Sequence, residues 1–154
     1  MASDRYFDDY KAGTVEACGE VTVTEEDILE FARRYDPQPF HVDPEAARRS
    51  PYGGLIASGW HTSALMMRLL TEHYLGASSL GSPGIDELRW PAPVRPGDTL
   101  SLRVTVLETR RSRSKPDRGI LRSRLEVLNQ DGTLVLSAIA VNLIATGELS
   151  RPLG

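Results

Sequence analysis

The sequence is short of several things that would otherwise direct its reading. It has one cysteine, Cys18, in 154 residues, so it can form neither an internal disulfide nor a thiolate metal cluster, and a reducing compartment, a cytoplasm, is expected. It has no excess of positive charge, since 18 Lys and Arg stand against 21 Asp and Glu for a net charge of -3. No overall field draws it to nucleic acid or to an anionic membrane, and neither is expected as a partner. It also lacks a clean hydrophobic run. Its most apolar stretch, 55–75, carries His61, Arg68, Glu72 and His73 and falls short of the ~20 apolar residues of a membrane span. The opening "MASDRYFDDYKAG" is acidic and without the basic-then-apolar order of a secretory signal, so it is expected to stay on the mature chain. The patterns GxSxG, GxGxxG and the Walker loop are absent, which leaves serine hydrolase, dinucleotide-binding and NTPase readings without support.

What is present suits one soluble domain over 1–154: 40% of the residues are hydrophobic, enough for a core, and no repeat, low-complexity tract or linker divides the chain. Thr24 followed by Asp27, with Ile28, Phe31, Ala32 and Tyr35 at helical spacing, predicts a helix over 25–35. Acidic residues fill its first turn and Arg33 and Arg34 its last, as the helix dipole favours. Pro37 and Pro39 disfavour helical geometry at Asp36 and Gln38, so that helix ends at or before Asp36. Asp43 and Pro44 then read as an N-cap and first position of one or two helical turns, broken at "SPYGGL". The segment 57–75, apolar on nearly every side and followed by Gly76 as a C′ residue, predicts a helix wrapped by other structure.

Beyond it the period changes from 3.6 to 2. Leu100, Leu102, Val104 and Val106, and later Leu121, Ser123, Leu125 and Val127, alternate with polar residues as half-exposed antiparallel strands do. "NQDGT" at 129–133 is a hairpin turn into "LVLSAIAVNLIAT", apolar on both faces and hence an internal strand. Weaker strands are predicted at 15–24 and 84–90. The order fits an α+β domain in which a curved antiparallel sheet wraps one long central helix, the hot-dog arrangement.

Chemistry concentrates in "RYDPQPFHVDP", 34–44. Asp36 and His41 are five residues apart, ~17 Å if the chain were extended, so they meet only if it folds back. Together a carboxylate and an imidazole can orient and deprotonate a water; the alternative is that Asp36 caps a turn and His41 packs behind it. "GGLIASGW" at 53–60 opens the central helix with Ser58 and Gly59. Unpaired N–H groups there can receive a developing negative oxygen, with Gly59 allowing close approach, unless these glycines are turn residues only. The tip "TRRSRSKPDRG" at 109–119 brings Arg110, Arg111, Arg113 and Lys115 together, either for a phosphate-bearing cofactor arm or as a solvated tip. His61 and His73 have no metal-ligand spacing partner and read as structural; no metal is expected. Cys18, with no histidine near it in sequence, is not expected to act as a nucleophile.

"YDPQPFHVDPEAA" resembles the hydratase motif of the MaoC-like dehydratases. "GGLIASGWHTSALMMRL" is similar to that family's central helix and preceding loop, and "RWPAPVRPGDTL" to its entry into the long strands. The resemblance covers about 20–145. It implies that Asp36 and His41 form a catalytic pair, that the Gly59 N–H supplies an oxyanion hole, and that Gln38, Phe40, Ser58 and Trp60 contact the substrate. Gln38 stands where the family's enoyl-CoA hydratases usually have asparagine and Ser58 where many have histidine; Met66 or Met67 falls where they have a supporting serine. The implied activity is reversible hydration of an enoyl-CoA to an (R)-3-hydroxyacyl-CoA, in a homodimer or higher homo-oligomer, with no cofactor beyond the coenzyme A of the substrate. Two rivals are a hot-dog thioesterase, whose acid is typically not tied to a histidine by a short proline loop, and a non-catalytic acyl-thioester binding protein.

Overall fold

In the computed structural model, which describes residues 4–147, the chain runs β1 (Val15–Thr22), α1 (Glu25–Tyr35), α2 (Pro39–Val42), α3 (Pro44–Arg48), α4 (Gly59–His73), β2 (Gly84–Arg89), β3 (Thr99–Arg111), β4 (Arg118–Leu128) and β5 (Leu134–Ala145). A short 3-10 turn at Phe7–Asp9 precedes β1. All five strands form one antiparallel sheet in the order β1-β3-β4-β5-β2. The residues alternating in the sequence as Leu100, Leu102, Val104, Val106 and as Leu121, Leu125, Val127 all face inward and are buried. Met66, Leu69 and Leu70 of α4 join them in one core, the hot-dog arrangement the sequence pattern calls for. The 129–133 turn closes β4 onto β5 as expected, with Gly132 at φ 76° and the Asn129 side chain accepting from the N–H groups of Asp131 and Thr133.

The helix boundaries follow local chemistry closely. Thr24 accepts from the Asp27 N–H to cap α1, which ends at Tyr35. Asp43 accepts from the N–H groups of Glu45 and Ala46 to start α3 at Pro44. Between Pro39 and Val42, a stretch to which the sequence pattern assigns no element, the chain makes one helical turn with Pro39 at its start.

Three expectations about the central helix need correction. It begins at Gly59 rather than Ala57, because Ala57 lies outside the helix and donates its N–H to the Val94 carbonyl at 2.9 Å. It ends at His73 with Tyr74 as cap, two residues before Gly76, and Gly76 does not adopt a positive φ. Nor is it covered all round. Trp60 is 57% exposed and Met67 40%, and with Ala64 and Thr71, also exposed, they recur on one helix face. Apolar composition alone cannot distinguish a face covered within the chain from one left bare.

The far end of α4 is anchored into the sheet. The Tyr74 hydroxyl shares a 2.8 Å hydrogen bond with Ser123 Oγ of β4, both side chains being fully buried. Tyr10 packs edge-on against the Tyr74 ring at 5.1 Å and donates its hydroxyl to the Tyr74 carbonyl. Tyr74→Phe strands the Ser123 hydroxyl in an apolar interior, and denaturant unfolding should report a loss of about 1–3 kcal/mol. The His41 environment, at the opposite end of α4, should be unchanged by NMR.

Candidate active site

Asp36 is the residue at which α1 stops. Its N–H still bonds the Ala32 carbonyl, but its backbone leaves the helix at φ -154°, ψ 69°, as the following proline requires. Its carbonyl accepts from the Gln38 N–H at 2.8 Å, and the Gln38 carbonyl in turn accepts from the His41 N–H at 2.9 Å. This double reversal returns His41 to Asp36: Nε2 lies 3.4 Å from Asp36 Oδ2. The two prolines therefore do what the sequence suggested, one ending the helix and the other starting the turn that carries the imidazole.

Each group of the pair is oriented from outside it. His41, only 5% exposed, is bonded through Nδ1 to the Ile56 carbonyl at 2.7 Å. A carbonyl only accepts, so Nδ1 carries the hydrogen whether the ring is charged or neutral, and when the ring is neutral its lone pair sits on Nε2, facing Asp36. Asp36 Oδ2 accepts from Ser58 Oγ at 2.7 Å and Oδ1 from Gln38 Nε2 at 2.7 Å. Burial by itself would raise the Asp36 pKa, but the hydrogen bonds from Ser58 and Gln38 and the charge of His41 outweigh it and hold the carboxyl below its ordinary value. The carboxylate is thus held ionised, and with the ring in its neutral form Asp36 Oδ2 and His41 Nε2 are two acceptors that converge on one small space.

Ser58 also caps α4. Its Oγ accepts from the Trp60 N–H at 3.2 Å, and its carbonyl accepts from the N–H groups of His61 and Thr62. The Gly59 N–H donates to nothing among the described residues, and Gly59 lines the same cleft as Asp36 and His41. An unpaired donor at the positive end of a helix of 15 residues is suited to a negative oxygen. The cleft, about 520 Å³, is walled by Phe40, Tyr52, Trp60, Trp90 and the 91–94 segment. Its base includes Thr62 of α4 and Val135 of β5.

Of the residues expected to touch substrate, Gln38, Phe40 and Trp60 line the cleft. Ser58 does not: it is fully buried, because its hydroxyl turns inward to Asp36. Arg110, Arg111, Arg113 and Lys115 lie at the opposite end of the sheet, where Thr146 meets Asp117 and Arg111 pairs with Asp8 at 2.8 Å. The length of β3 separates them from the cleft of their own chain, roughly 35–40 Å at ~3.3 Å per residue. Met66 is buried in the core, whereas Met67 lines a separate cavity with Thr71 and Asn142, so neither reaches the pair. His61 stacks on Phe31 at 4.8 Å, and burial pushes its pKa down, consistent with a structural place. His73 packs over Gly19. Burial, reinforced by Glu16, pushes the Cys18 thiol up to about 11, which leaves it protonated and poorly nucleophilic. Among the described residues no three His, Cys, Asp or Glu side chains converge as metal ligands. Trp90, Tyr52 and Val135 were not singled out by the sequence; Pro91 and Pro93, which stiffen the chain just after Trp90, are the signal that could have drawn attention to it.

The Ser58 hydroxyl yields a direct test. Because the folded-state pKa of Asp36 lies below that of an unfolded aspartate, ~3.9, its ionised form contributes stability above that pH, and this is lost as pH falls through the folded value. Ser58→Ala removes a donor that favours the charged form. The Asp36 carboxyl resonance should then titrate at higher pH, and stability near neutral pH should fall.

Comparison with known proteins agrees with this geometry. The family model described as MaoC like domain matches residues 11–126. A MaoC-like dehydratase from Rhodospirillum rubrum has a crystal structure that superposes with a TM-score of 0.87 at 41% identity, covering 97% of this chain and 99% of that one. An uncharacterized Bacillus subtilis protein, YdeM, is 33% identical over 80% of this chain and 86% of its own. The 3-hydroxyacyl-thioester dehydratase Z of Mycobacterium tuberculosis is 41% identical over 50% of this chain and 53% of its own, so the match spans about half the length of that relative. With a family model matched over most of its length, the chain belongs to the MaoC-like dehydratase family.

Proposed function

We propose that the protein catalyses the reversible hydration of a trans-2-enoyl thioester, carried on coenzyme A, to the (R)-3-hydroxyacyl thioester. The observation that carries this is the convergence on one cleft of two acceptors, Asp36 Oδ2 and His41 Nε2 at 3.4 Å, and one unpaired donor, the Gly59 N–H. Addition of water to a conjugated thioester needs both. A water donating one hydrogen to each acceptor turns a lone pair toward the acyl C3. As the C3–O bond forms, a water proton passes to the pair, the C2–C3 π electrons move toward C1, and negative charge gathers on the thioester oxygen. The Gly59 N–H stabilises that oxygen, an interaction that strengthens as the charge develops. The enolate then takes the proton at C2, returning the pair to its starting state, and dehydration is the same path reversed. The dehydratase named among the relatives acts on the same class of thioester by its name.

We propose further that the working unit is a homodimer. β2 is an edge strand whose residues Gly84–Glu87 are exposed. It runs beside the bare face of α4: Trp90, just past β2, meets Trp60 at 5.0 Å, and Gly81 and Ser82, just before it, share a cavity with Met67 and Thr71. Trp60, Met67, Leu80, Ile85 and Trp90 make this a large exposed apolar surface next to an open strand edge, and a second copy related by a two-fold axis would cover both.

Two experiments follow. The purified protein should deplete the conjugated-thioester absorbance of short enoyl-CoAs without releasing thiol, and Asp36→Asn should lower kcat/KM by about 10² to 10⁴. Thiol release instead would point to a thioesterase. Met67→Glu with Ile85→Lys should convert a dimer to a monomer in sedimentation; a wild-type monomer would refute the dimer.

A further inference from the structure

Gly59 is held from the sheet side as well as from Ser58. The Trp90 indole lies directly on it: a Cβ built at Gly59 would fall 2.6 Å from both Trp90 Cδ2 and Cε2, so the indole ring packs against the glycine backbone. The indole Nε1–H donates to Ser63 Oγ at 3.2 Å, and Ser63 Oγ donates to the Gly59 carbonyl at 3.0 Å. An indole N–H only donates and a carbonyl only accepts, so the direction of this relay is fixed, with the serine hydroxyl receiving at one side and giving at the other. Trp60 backs the indole edge-on at 5.0 Å.

We infer that Trp90 is a positioning residue for the oxyanion donor, acting on Gly59 through Ser63 and through ring contact. The inference rests on the hydratase reading above. A glycine at the first position of a helix lacks the side-chain packing that would otherwise fix its peptide planes, and a donor stabilises a developing charge only if its direction is set beforehand. Ser58, bonded to Asp36, restrains the residue before Gly59; the Trp90–Ser63 relay restrains the carbonyl after it. Trp90 thus ties the donor to the segment following β2, an element separate from those that carry the acid-base pair.

Two conservative variants separate this from a simple wall. Trp90→Phe keeps a flat ring on Gly59 but removes the N–H together with part of the indole's area, whereas Ser63→Ala removes only the relay and leaves the ring contact in place. Each should lower kcat for enoyl-CoA hydration about tenfold, short of the ~10² to 10³ typical of losing an oxyanion donor itself, with KM within about twofold. The double variant should be no worse than Trp90→Phe alone, since that change already breaks the relay, and Ser63→Thr, which keeps a hydroxyl, should retain kcat. In the wild type the Trp90 indole proton should be protected from exchange, and Ser63→Ala should remove that protection, a readout that needs no turnover. Full kcat in both variants, or an unprotected indole proton in the wild type, overturns the role of Trp90 and leaves the hydratase reading standing. A wild type that hydrates no enoyl-CoA overturns both.

Discussion

The site depends on one hydrogen bond, from the buried Ser58 hydroxyl to Asp36 Oδ2. It joins the residue where α1 ends to the residue where α4 begins, two points 22 positions apart in the chain. A carboxylate that is mostly withdrawn from water is costly unless hydrogen-bonded, and Ser58 and Gln38 offset that cost while keeping it ionised. Since Ser58 immediately precedes Gly59, the same bond that sets Asp36 also sets its distance from the Gly59 N–H. In the proposed reaction acid-base chemistry and charge stabilisation are therefore held in one frame, and a shift of α1 against α4 would spoil both together.

Around that bond the chain recruits rigid pieces in place of long loops. Pro37 and Pro39 limit the backbone between the pair to one reversal and one helical turn, so little conformational entropy remains to be lost when His41 comes to Asp36. The Ile56 carbonyl selects the His41 tautomer, and the 90–94 segment supplies the opposite wall of the cleft. The long strands enter mainly as a scaffold: their inward side chains bury α4 and keep its N-terminus fixed relative to α1, β2 and the segment that follows it.

Much of this was legible in the residues because it is written in local signals. Thr24, Pro37, Pro39 and the Asp43-Pro44 pair each act within three or four positions of themselves, and the structure puts helix ends where they demand. The alternation at 100–106 and 121–127 likewise reports burial residue by residue. What was not legible depends on contacts between distant segments. Nothing near Ser58 in sequence tells that its hydroxyl turns to Asp36 and away from the cleft, and nothing near Trp90 tells that it meets Gly59. The basic 110–115 stretch admits by composition either a phosphate-bearing arm or a solvated tip, and only the direction of β3 tells that it lies at the far end of the sheet. The central helix misled in another way, since an apolar face left exposed has the same composition as one already buried.

The most direct test of the central claim is the fate of isotopically labelled water. With an enoyl-CoA incubated in water enriched in heavy oxygen, the account predicts label in the 3-hydroxyl of an intact acyl thioester of (R) configuration, dependent on Asp36 and His41. Label in a released carboxylate, with free coenzyme A, would contradict it and assign the same pair to thioester hydrolysis.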